Sequence, residues 1–402
     1  MGYGKSPTGL RPPPRYTSKG HPFRSLMKYD NPIRVFLGLL CAAGFTALLW
    51  SQMDRAFSGA NDFMQLYVGA VEAGGPALYD PETSYRFQQE QFGAVAEAII
   101  YVRPAYYALL LKPLTWLGSY ANAHAAYTAL RLLALVAFVL LWPKQGRWDA
   151  VMFTLMSLPL FVGLMNGQDT VFLLPLIAWA LRSVEQGKDF QAGLALSLCA
   201  LKPHLLILVP VALVAQRRWG VLKGGLAGGG ALFALSCIAG GFGWLGSFLS
   251  VLGNDVINPD LQVMPNLAGL FDGVPQAELW AGVGALGAAA VVAVTARYGS
   301  FAAGIAAATV GSLLVTGHAY VSDVVVLLPG LLAVAQEPAG PPAGKFFAFV
   351  WLGPILPLLL LVGRPASYAP QLILPLTLLA LALAVHRRAP ETEPELTLAR
   401  SQ

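Results

Sequence analysis

Charge is scarce in this chain. Of its 402 residues, 12% are charged and 56% are hydrophobic, whereas an ordinary soluble domain is about 25% charged. A water-soluble fold could not bury so much apolar surface, so the composition excludes a soluble globular protein. The scarcity of charge therefore predicts an integral membrane protein.

Motifs for metals and cofactors are also missing. The three cysteines lie in apolar stretches at positions 41, 199 and 237, without the spacing of a disulfide framework or a zinc site. The sequence has no phosphate-binding loop, no dinucleotide fingerprint, no HExxH motif and no Asp-x-Asp pair. We therefore expect no metal, no cofactor and no nucleic-acid partner, so that any chemistry would rely on carboxylates and cations of the chain itself.

Long apolar runs, in contrast, are abundant. A membrane span needs about 17 to 25 residues, and candidate runs lie at 33–51, 120–142, 150–165, 169–185, 190–215, 222–241, 278–296, 301–316, 321–336, 345–363 and 370–386. Their continuous Leu, Ala and Val stretches lack the alternation of barrel strands, so the spans must be helices. We predict an all-α polytopic membrane protein with about ten to twelve transmembrane helices.

The basic residues predict the orientation of these spans. Residues 1–31 carry six basic side chains and three consecutive prolines, which is typical of a disordered tail. This segment lacks the apolar core of a cleaved signal peptide. Because Lys and Arg favour the cytoplasmic side, we expect cytoplasmic tails at 1–31 and 389–402 around a transmembrane domain at 32–388. The remaining polar connections then fall on the outer side.

Two apolar segments are too irregular for simple spans. The piece at 104–117 is short and contains a Lys-Pro step, so we expect it to be re-entrant or interfacial. The piece at 190–215 has Lys202 and Pro203 at its middle, and proline interrupts a helix because it lacks an amide donor. This pattern predicts a hairpin of two short helices.

The first outer loop, at 52–103, is long for a connection. Aromatic residues recur in it at near-helical spacing among polar residues, which predicts amphipathic helices at the membrane interface. A small surface subdomain without function is the alternative. Asp62 lies near the start of this loop, where a carboxylate just outside the bilayer could act as a base on a lipid-borne substrate. Equally, it could be a solvated loop aspartate.

Lys202 is an ionisable residue between two apolar stretches, and such residues are functional candidates by default. A cation at a helix break would suit a phosphate or diphosphate headgroup. The alternative is a lysine that extends to the membrane surface and fixes the depth of the helix.

A second polar group lies just before an apolar run. It contains His318, Tyr320 and Asp323. Asp323 could cap the following helix, but neither His318 nor Tyr320 is needed for that role. We therefore predict substrate binding for this group, with helix capping as the alternative for Asp323.

Three further outer-face features are compatible with a carbohydrate site. Asn166, Gln168 and Asp169 link two short spans, and amide side chains can hydrogen-bond sugar hydroxyls or simply form a tight turn. Arg103 and Arg364, each followed by proline, could bind a lipid phosphate or anchor the chain at headgroups.

Taken in order, these motifs resemble those of glycosyltransferase family 87. The matching strings are Asn61-Asp62-Phe63 with Tyr67, Gly75-Pro76-Ala77-Leu78-Tyr79-Asp80, Tyr101-Val102-Arg103-Pro104, Asn166-Gly167-Gln168, Leu201-Lys202-Pro203 and His318-Ala319-Tyr320-Val321-Ser322-Asp323. The resemblance extends over about residues 60 to 335. Members of this family are polyprenyl-phosphate-mannose-dependent α-mannosyltransferases with the GT-C fold.

This resemblance implies a function and a set of site residues. Asp62 would be the general base in an inverting transfer of a sugar, mannose first, from a polyprenyl-phosphate donor to a glycolipid or glycan acceptor. The site would lie on the periplasmic face of a bacterial inner membrane. We assign donor-phosphate binding to Lys202, His318, Arg103 and Arg364, and sugar or acceptor binding to Asn61, Tyr67, Asn166, Gln168, Asp169, His204, Tyr320 and Asp323. The alternative is a transporter or flippase of a lipid-linked sugar.

Overall fold

The computed structural model describes residues 31–93, 99–253, 261–337 and 342–386, and within these ranges the chain is helical and has no β-strand. The predicted tails lie outside the described residues, apart from residue 31. The α-helices are α1 (Asn31–Leu48), α2 (Met53–Ser58), α3 (Phe63–Glu72), α4 (Pro81–Phe92), α5 (Ala105–Leu111), α6 (Tyr120–Leu141), α7 (Arg147–Leu155), α8 (Leu158–Met165), α9 (Leu173–Glu185), α10 (Asp189–Leu198), α11 (Val209–Ala215), α12 (Trp219–Gly240), α13 (Trp244–Leu252), α14 (Leu267–Phe271), α15 (Ala277–Tyr298), α16 (Phe301–Val315), α17 (Leu327–Gln336), α18 (Pro342–Leu352), α19 (Ile355–Val362) and α20 (Tyr368–His386).

Several helices coincide with the predicted spans. In the described ranges, α6, α12, α15 and α20 make 4 helices that are long and apolar enough to cross a membrane. Three bent helix pairs raise this number to 7 if each pair forms one span. These helices confirm an all-α polytopic membrane protein. Shorter apolar helices such as α16 would also have to cross to give about ten to twelve spans, so that number remains a prediction.

The two irregular segments form short helices. After α5 the chain continues in a 3-10 turn, Lys112–Leu117. Between α10 and α11 it forms two 3-10 turns that meet at Lys202, whose φ of −128° and ψ of 74° leave the helical region. Proline disfavours the helical conformation of the residue before it, so Pro203 accounts for the break. Whether either segment crosses the membrane remains a prediction.

The segment at 52–103, predicted to be the first outer loop, contains one largely exposed helix and one that is buried. Asp80 caps helix α4, because its side chain accepts hydrogen bonds from the amides of Glu82 and Thr83. Most of the helix is exposed or half-buried. Helix α3, however, packs into the core with Phe63 and Leu66 almost completely buried. This burial brings the segment around Asp62 into contact with the start of α6.

Close packing between α10 and α12 holds the Lys202 hairpin in place. A Cβ atom on Gly193 would overlap the backbone of Val221, and one on Gly224 would overlap the backbone of Phe190. Small residues at helix interfaces allow such close approach of two backbones. The glycines therefore place α10, and the hairpin that follows it, firmly against α12.

Candidate active site

Asp62 lies at the start of α3, where an aspartate side chain commonly caps the helix by accepting a hydrogen bond from a backbone amide. It forms no such cap here. Asn61 takes that role, because its Oδ1 accepts a hydrogen bond from Phe63 N at 3.0 Å. Asp62 as a whole is half-buried, and its carboxylate is left for contacts outside α3.

The turn at 166–169 is docked against this segment. Gly167 has a φ of 70°, a conformation that glycine adopts without steric cost. A Cβ atom at this position would overlap the side chain of Asn61. Asp62 N donates to Asn166 O at 3.0 Å. The two segments therefore meet through their main chains, and Gly167 permits that close approach.

Gln168 joins Asp62 to Lys202. Its Nε2 donates to Asp62 Oδ2, and its Oε1 accepts from Lys202 Nζ at 2.7 Å. Since an ammonium group can only donate hydrogen bonds, Lys202 fixes the orientation of the Gln168 amide. The amino group of that amide must then face Asp62, which accepts as a carboxylate.

Lys202 is buried, with only 3% of its side chain exposed. Its Nζ lies 2.7 Å from Asp323 Oδ1 and 3.6 Å from Asp169 Oδ1. A lysine that extends to the membrane surface would keep its ammonium group in water. The structure instead places this cation between two carboxylates and an amide oxygen.

Arg103 and Asp169 form a two-pronged ion pair. Arg103 Nε lies 2.7 Å from Asp169 Oδ2, and Nη2 lies 3.0 Å from Oδ1. The Asp169 side chain is completely buried. Arg103, Lys202, Asp169 and Asp323 thus form a network of two cations and two carboxylates, which we call the ion network. Loss of one buried member would leave an uncompensated charge.

Asp323 makes the capping contact that the sequence allowed and also binds Lys202, while substrate binding by this residue remains a prediction. Its Oδ2 accepts a hydrogen bond from Tyr320 N at 3.1 Å, as in a helix cap. Its Oδ1 accepts from Lys202 and, at 3.0 Å, from Thr170 Oγ1. One carboxylate therefore both starts a helical segment and binds the buried lysine.

Three aromatic side chains lie beside the ion network. The rings of His204 and His318 are 5.9 Å apart between centroids, and those of His318 and Tyr320 are 5.0 Å apart. All three residues are half-buried. All three are close in sequence to members of the ion network. His204 lies two residues after Lys202, and His318 and Tyr320 lie shortly before Asp323.

Tyr67 and Arg364 lie apart from the ion network. Tyr67 packs against Phe87 and Tyr120, with ring centroids 5.6 and 5.1 Å away. Arg364 lies 3.5 Å from the carboxylate of Asp272 and donates to Gly269 O at 2.8 Å. Among the described residues, neither forms a hydrogen bond or an ion pair with the network.

Two polar residues near the site escaped the sequence analysis. Thr170 looks like an ordinary residue after a turn, and nothing in the sequence links it to Asp323. Arg131 did have a signal, because it is the only charged residue in the apolar run 120–142. An arginine in such a run is costly and marks a functional candidate.

The all-α membrane fold holds an uncapped carboxylate, Asp62, beside a buried ion network. Together they define a membrane protein with a candidate active site. The model of glycosyltransferase family 87 matches residues 101–316, more than half of the chain. This chain belongs to glycosyltransferase family 87 and is a membrane glycosyltransferase. No match was found among curated proteins or among solved structures. The matched range includes Arg103, Gln168 and Lys202, whereas Asp62 and Asp323 lie outside it.

Proposed function

We propose that this glycosyltransferase moves mannose from a polyprenyl-phosphate donor to a hydroxyl group of a lipid-linked or surface glycan acceptor, with Asp62 as general base. One observation carries the proposal: the Asp62 carboxylate is left uncapped at its helix start and is held by Gln168. Family membership supports the transfer reaction over the transporter alternative. The resemblance of the Asn61-Asp62-Phe63 string to the family supports both the role of Asp62 and the choice of donor.

The proposed reaction is a single displacement. The acceptor oxygen forms a bond to the anomeric carbon of the donor while the bond from that carbon to the phosphate oxygen breaks. The acceptor proton passes to the Asp62 carboxylate, and the polyprenyl phosphate leaves with the electron pair of the broken bond. Because attack and departure occur on opposite faces of the carbon, the anomeric configuration is inverted.

The leaving phosphate needs positive charge or hydrogen-bond donors as it departs. We assign this role to Lys202 and His318. Lys202 has three ammonium protons and makes two hydrogen bonds among the described residues. Asp169 Oδ1 lies 3.6 Å away, beyond hydrogen-bond distance, so we assign the third proton to a phosphate oxygen. Arg103 is occupied by Asp169 and would hold that carboxylate in place. Arg364 is occupied by Asp272, and we do not include it.

The proposed site faces the outer side of the membrane. Tyr120, at the start of α6, donates to Gly59 O near Asp62. At the other end of α6, Arg147 and Arg182 donate to the carbonyls of Leu140 and Leu141. Since basic residues favour the cytoplasmic side, the site end of α6 would be periplasmic if the host is a bacterium.

The test is transfer of radiolabelled mannose from a polyprenyl-phosphate donor in membranes that contain the wild-type protein or Asp62→Asn at equal expression. We expect labelled glycolipid only with the wild type. A labelled product with inverted anomeric configuration would support single displacement.

Transfer by Asp62→Asn at the wild-type rate would contradict the role of Asp62. Transfer from glucose or arabinose donors, but not from the mannose donor, would contradict the choice of sugar while leaving the reaction class intact. Asp80→Asn is the matched control, because Asp80 caps α4 and has no part in the proposed reaction.

A further inference from the structure

Arg131 is a buried cation near the middle of α6 that the proposed reaction does not use. It is 2% exposed. Among the described residues it forms no ion pair with a carboxylate. Burial of a charge is costly unless hydrogen bonds or opposite charges compensate for it, so the contacts of this side chain indicate why the arginine is there.

The guanidinium group of Arg131 binds the end of α8. Its Nη1 donates to Leu164 O at 2.9 Å, and its Nη2 donates to Thr128 Oγ1 at 2.9 Å. The last carbonyl groups of a helix have no partner within the helix and carry its negative dipole end. A cation is therefore favourable at this place.

Three successive carbonyl groups at this helix end are held from outside the helix. Leu164 O accepts from Arg131, Met165 O accepts from Asn61 Nδ2 at 3.2 Å, and Asn166 O accepts from Asp62 N. The first of these contacts comes from α6, and the other two come from the segment that carries the proposed base. Arg131 thus fixes the same stretch of backbone on which Asp62 is docked.

Arg131 also contacts the other side of the Asp62 segment through an aromatic stack. Its guanidinium carbon lies 5.0 Å from the centroid of the Tyr127 ring. That ring is stacked on Phe63, with centroids 4.7 Å apart and an angle of 23° between the planes. Phe63 directly follows Asp62, so both sets of contacts from Arg131 converge on the proposed base.

We propose that Arg131 is a positioning residue, which holds the turn at 166–169 and the Phe63 ring so that the Asp62 carboxylate keeps its place beside Gln168. This inference rests on the proposed role of Asp62. A shift of about 1 Å in a catalytic group can lower a rate about 10²-fold. The contribution of Arg131 should therefore be found in turnover rather than in donor affinity.

The test compares Arg131→Met and Arg131→Lys with Arg147→Met in purified protein. Arg147 is the matched control, because its Nη2 donates to Leu140 O, another carbonyl near a helix end, at 2.9 Å. With polyprenyl-phosphate-mannose as donor, we expect Arg131→Met to lower kcat by about 10²-fold with an unchanged donor KM. Arg131→Lys should restore part of the loss, and Arg147→Met should retain the wild-type kcat.

A second measurement does not depend on the donor. In hydrogen–deuterium exchange, we expect faster exchange of the amides at 62–63 and 167–169 in Arg131→Met than in Arg147→Met. Equal exchange and equal kcat in these two variants would overturn the proposal. So would a raised donor KM at unchanged kcat, or loss of folded protein in both Arg131 variants, because the residue would then bind donor or serve folding alone.

Asp62→Asn, measured in the same assay, separates this inference from the proposed function. If Asp62→Asn transfers sugar like the wild type, the proposed function fails. If Asp62→Asn is inactive while Arg131→Met has wild-type turnover and exchange, only the inference about Arg131 fails.

Discussion

Two glutamines at opposite ends of the helix bundle make the same pair of hydrogen bonds in different surroundings. Gln168 accepts from Lys202 and donates to Asp62, while Gln336 accepts from Trp142 Nε1 at 3.0 Å and donates to Asp149 Oδ2 at 3.0 Å. One helical stretch of the chain runs from Asp323, at the Gln168 site, to Gln336. The two sites therefore lie about 20 Å apart along this stretch.

The aspartates that the two glutamines hold differ in the burial of the whole residue. Asp149 is 4% exposed, whereas Asp62 is half-buried. The donor to Gln336 is a neutral indole, whereas the donor to Gln168 is a buried cation. A hydrogen-bonded amide alone therefore does not identify an active site. The buried charge beside Asp62 is what distinguishes the proposed site, and the Gln336 end serves as an internal control for the Gln168 end.

The largest expected effect comes from removing the side chain that donates a hydrogen bond to the glutamine at each end. Lys202→Met would leave Asp169 and Asp323 with one cation fewer, and we expect a loss of about 3–5 kcal/mol in the free energy of unfolding together with loss of transfer. Trp142→Phe removes the corresponding donor to Gln336 and should cost about 1 kcal/mol with normal transfer. Denaturant unfolding and the transfer assay measure both. Equal losses of stability in the two variants would contradict the description of the ion network.

A smaller effect is expected when the amides themselves are replaced. Gln168→Leu and Gln336→Leu each remove an amide from between two polar groups and should each cost about 1–3 kcal/mol of stability. Only Gln168→Leu should lower kcat, by about 10²-fold, because only that amide orients Asp62. Purified, folded variants compared at the same temperature provide the measurement. An equal fall in kcat for Gln336→Leu would contradict this account, because it would show that turnover depends on the stability of the protein and not on the contact between Gln168 and Asp62.

The smallest effect is expected at Arg364, whose ion pair with Asp272 is 21% and 32% exposed on the two side chains. Such exposed pairs contribute about 0–1 kcal/mol. Arg364→Gln should therefore change stability little and leave the donor KM unchanged. A tenfold rise in donor KM, which corresponds to about 1.4 kcal/mol, would instead support the phosphate-binding role that the sequence predicts for Arg364.

Much of the helical framework could be predicted from the sequence, because apolar runs and proline breaks are local signals. The break at Lys202 and the helix at Tyr120–Leu141 are examples. That Asp62, Gln168, Lys202 and Asp323 belong together was predicted in two ways. The distribution of basic residues placed them on one membrane face, and the family resemblance assigned them to one site.

The partners within the site could not be predicted in the same way. Asp169 pairs with Arg103, a residue far away in the chain. Asn61 takes the capping role from Asp62, and which of the two neighbours caps the helix depends on the contacts that each makes with distant residues. Arg131 was missed for another reason. Its lone charge in an apolar run was visible, but its partner is the main-chain carbonyl of Leu164, which no side-chain pattern reveals.

The most direct test is removal of one carboxylate charge at each end of the bundle. Asp62→Asn and Asp149→Asn are to be compared for mannose transfer at equal amounts of folded protein. We predict that Asp62→Asn lowers kcat by about 10²- to 10⁴-fold, as expected for loss of a general base, while Asp149→Asn retains wild-type turnover. Equal turnover in the two variants would contradict the assignment of catalysis to the Asp62 end.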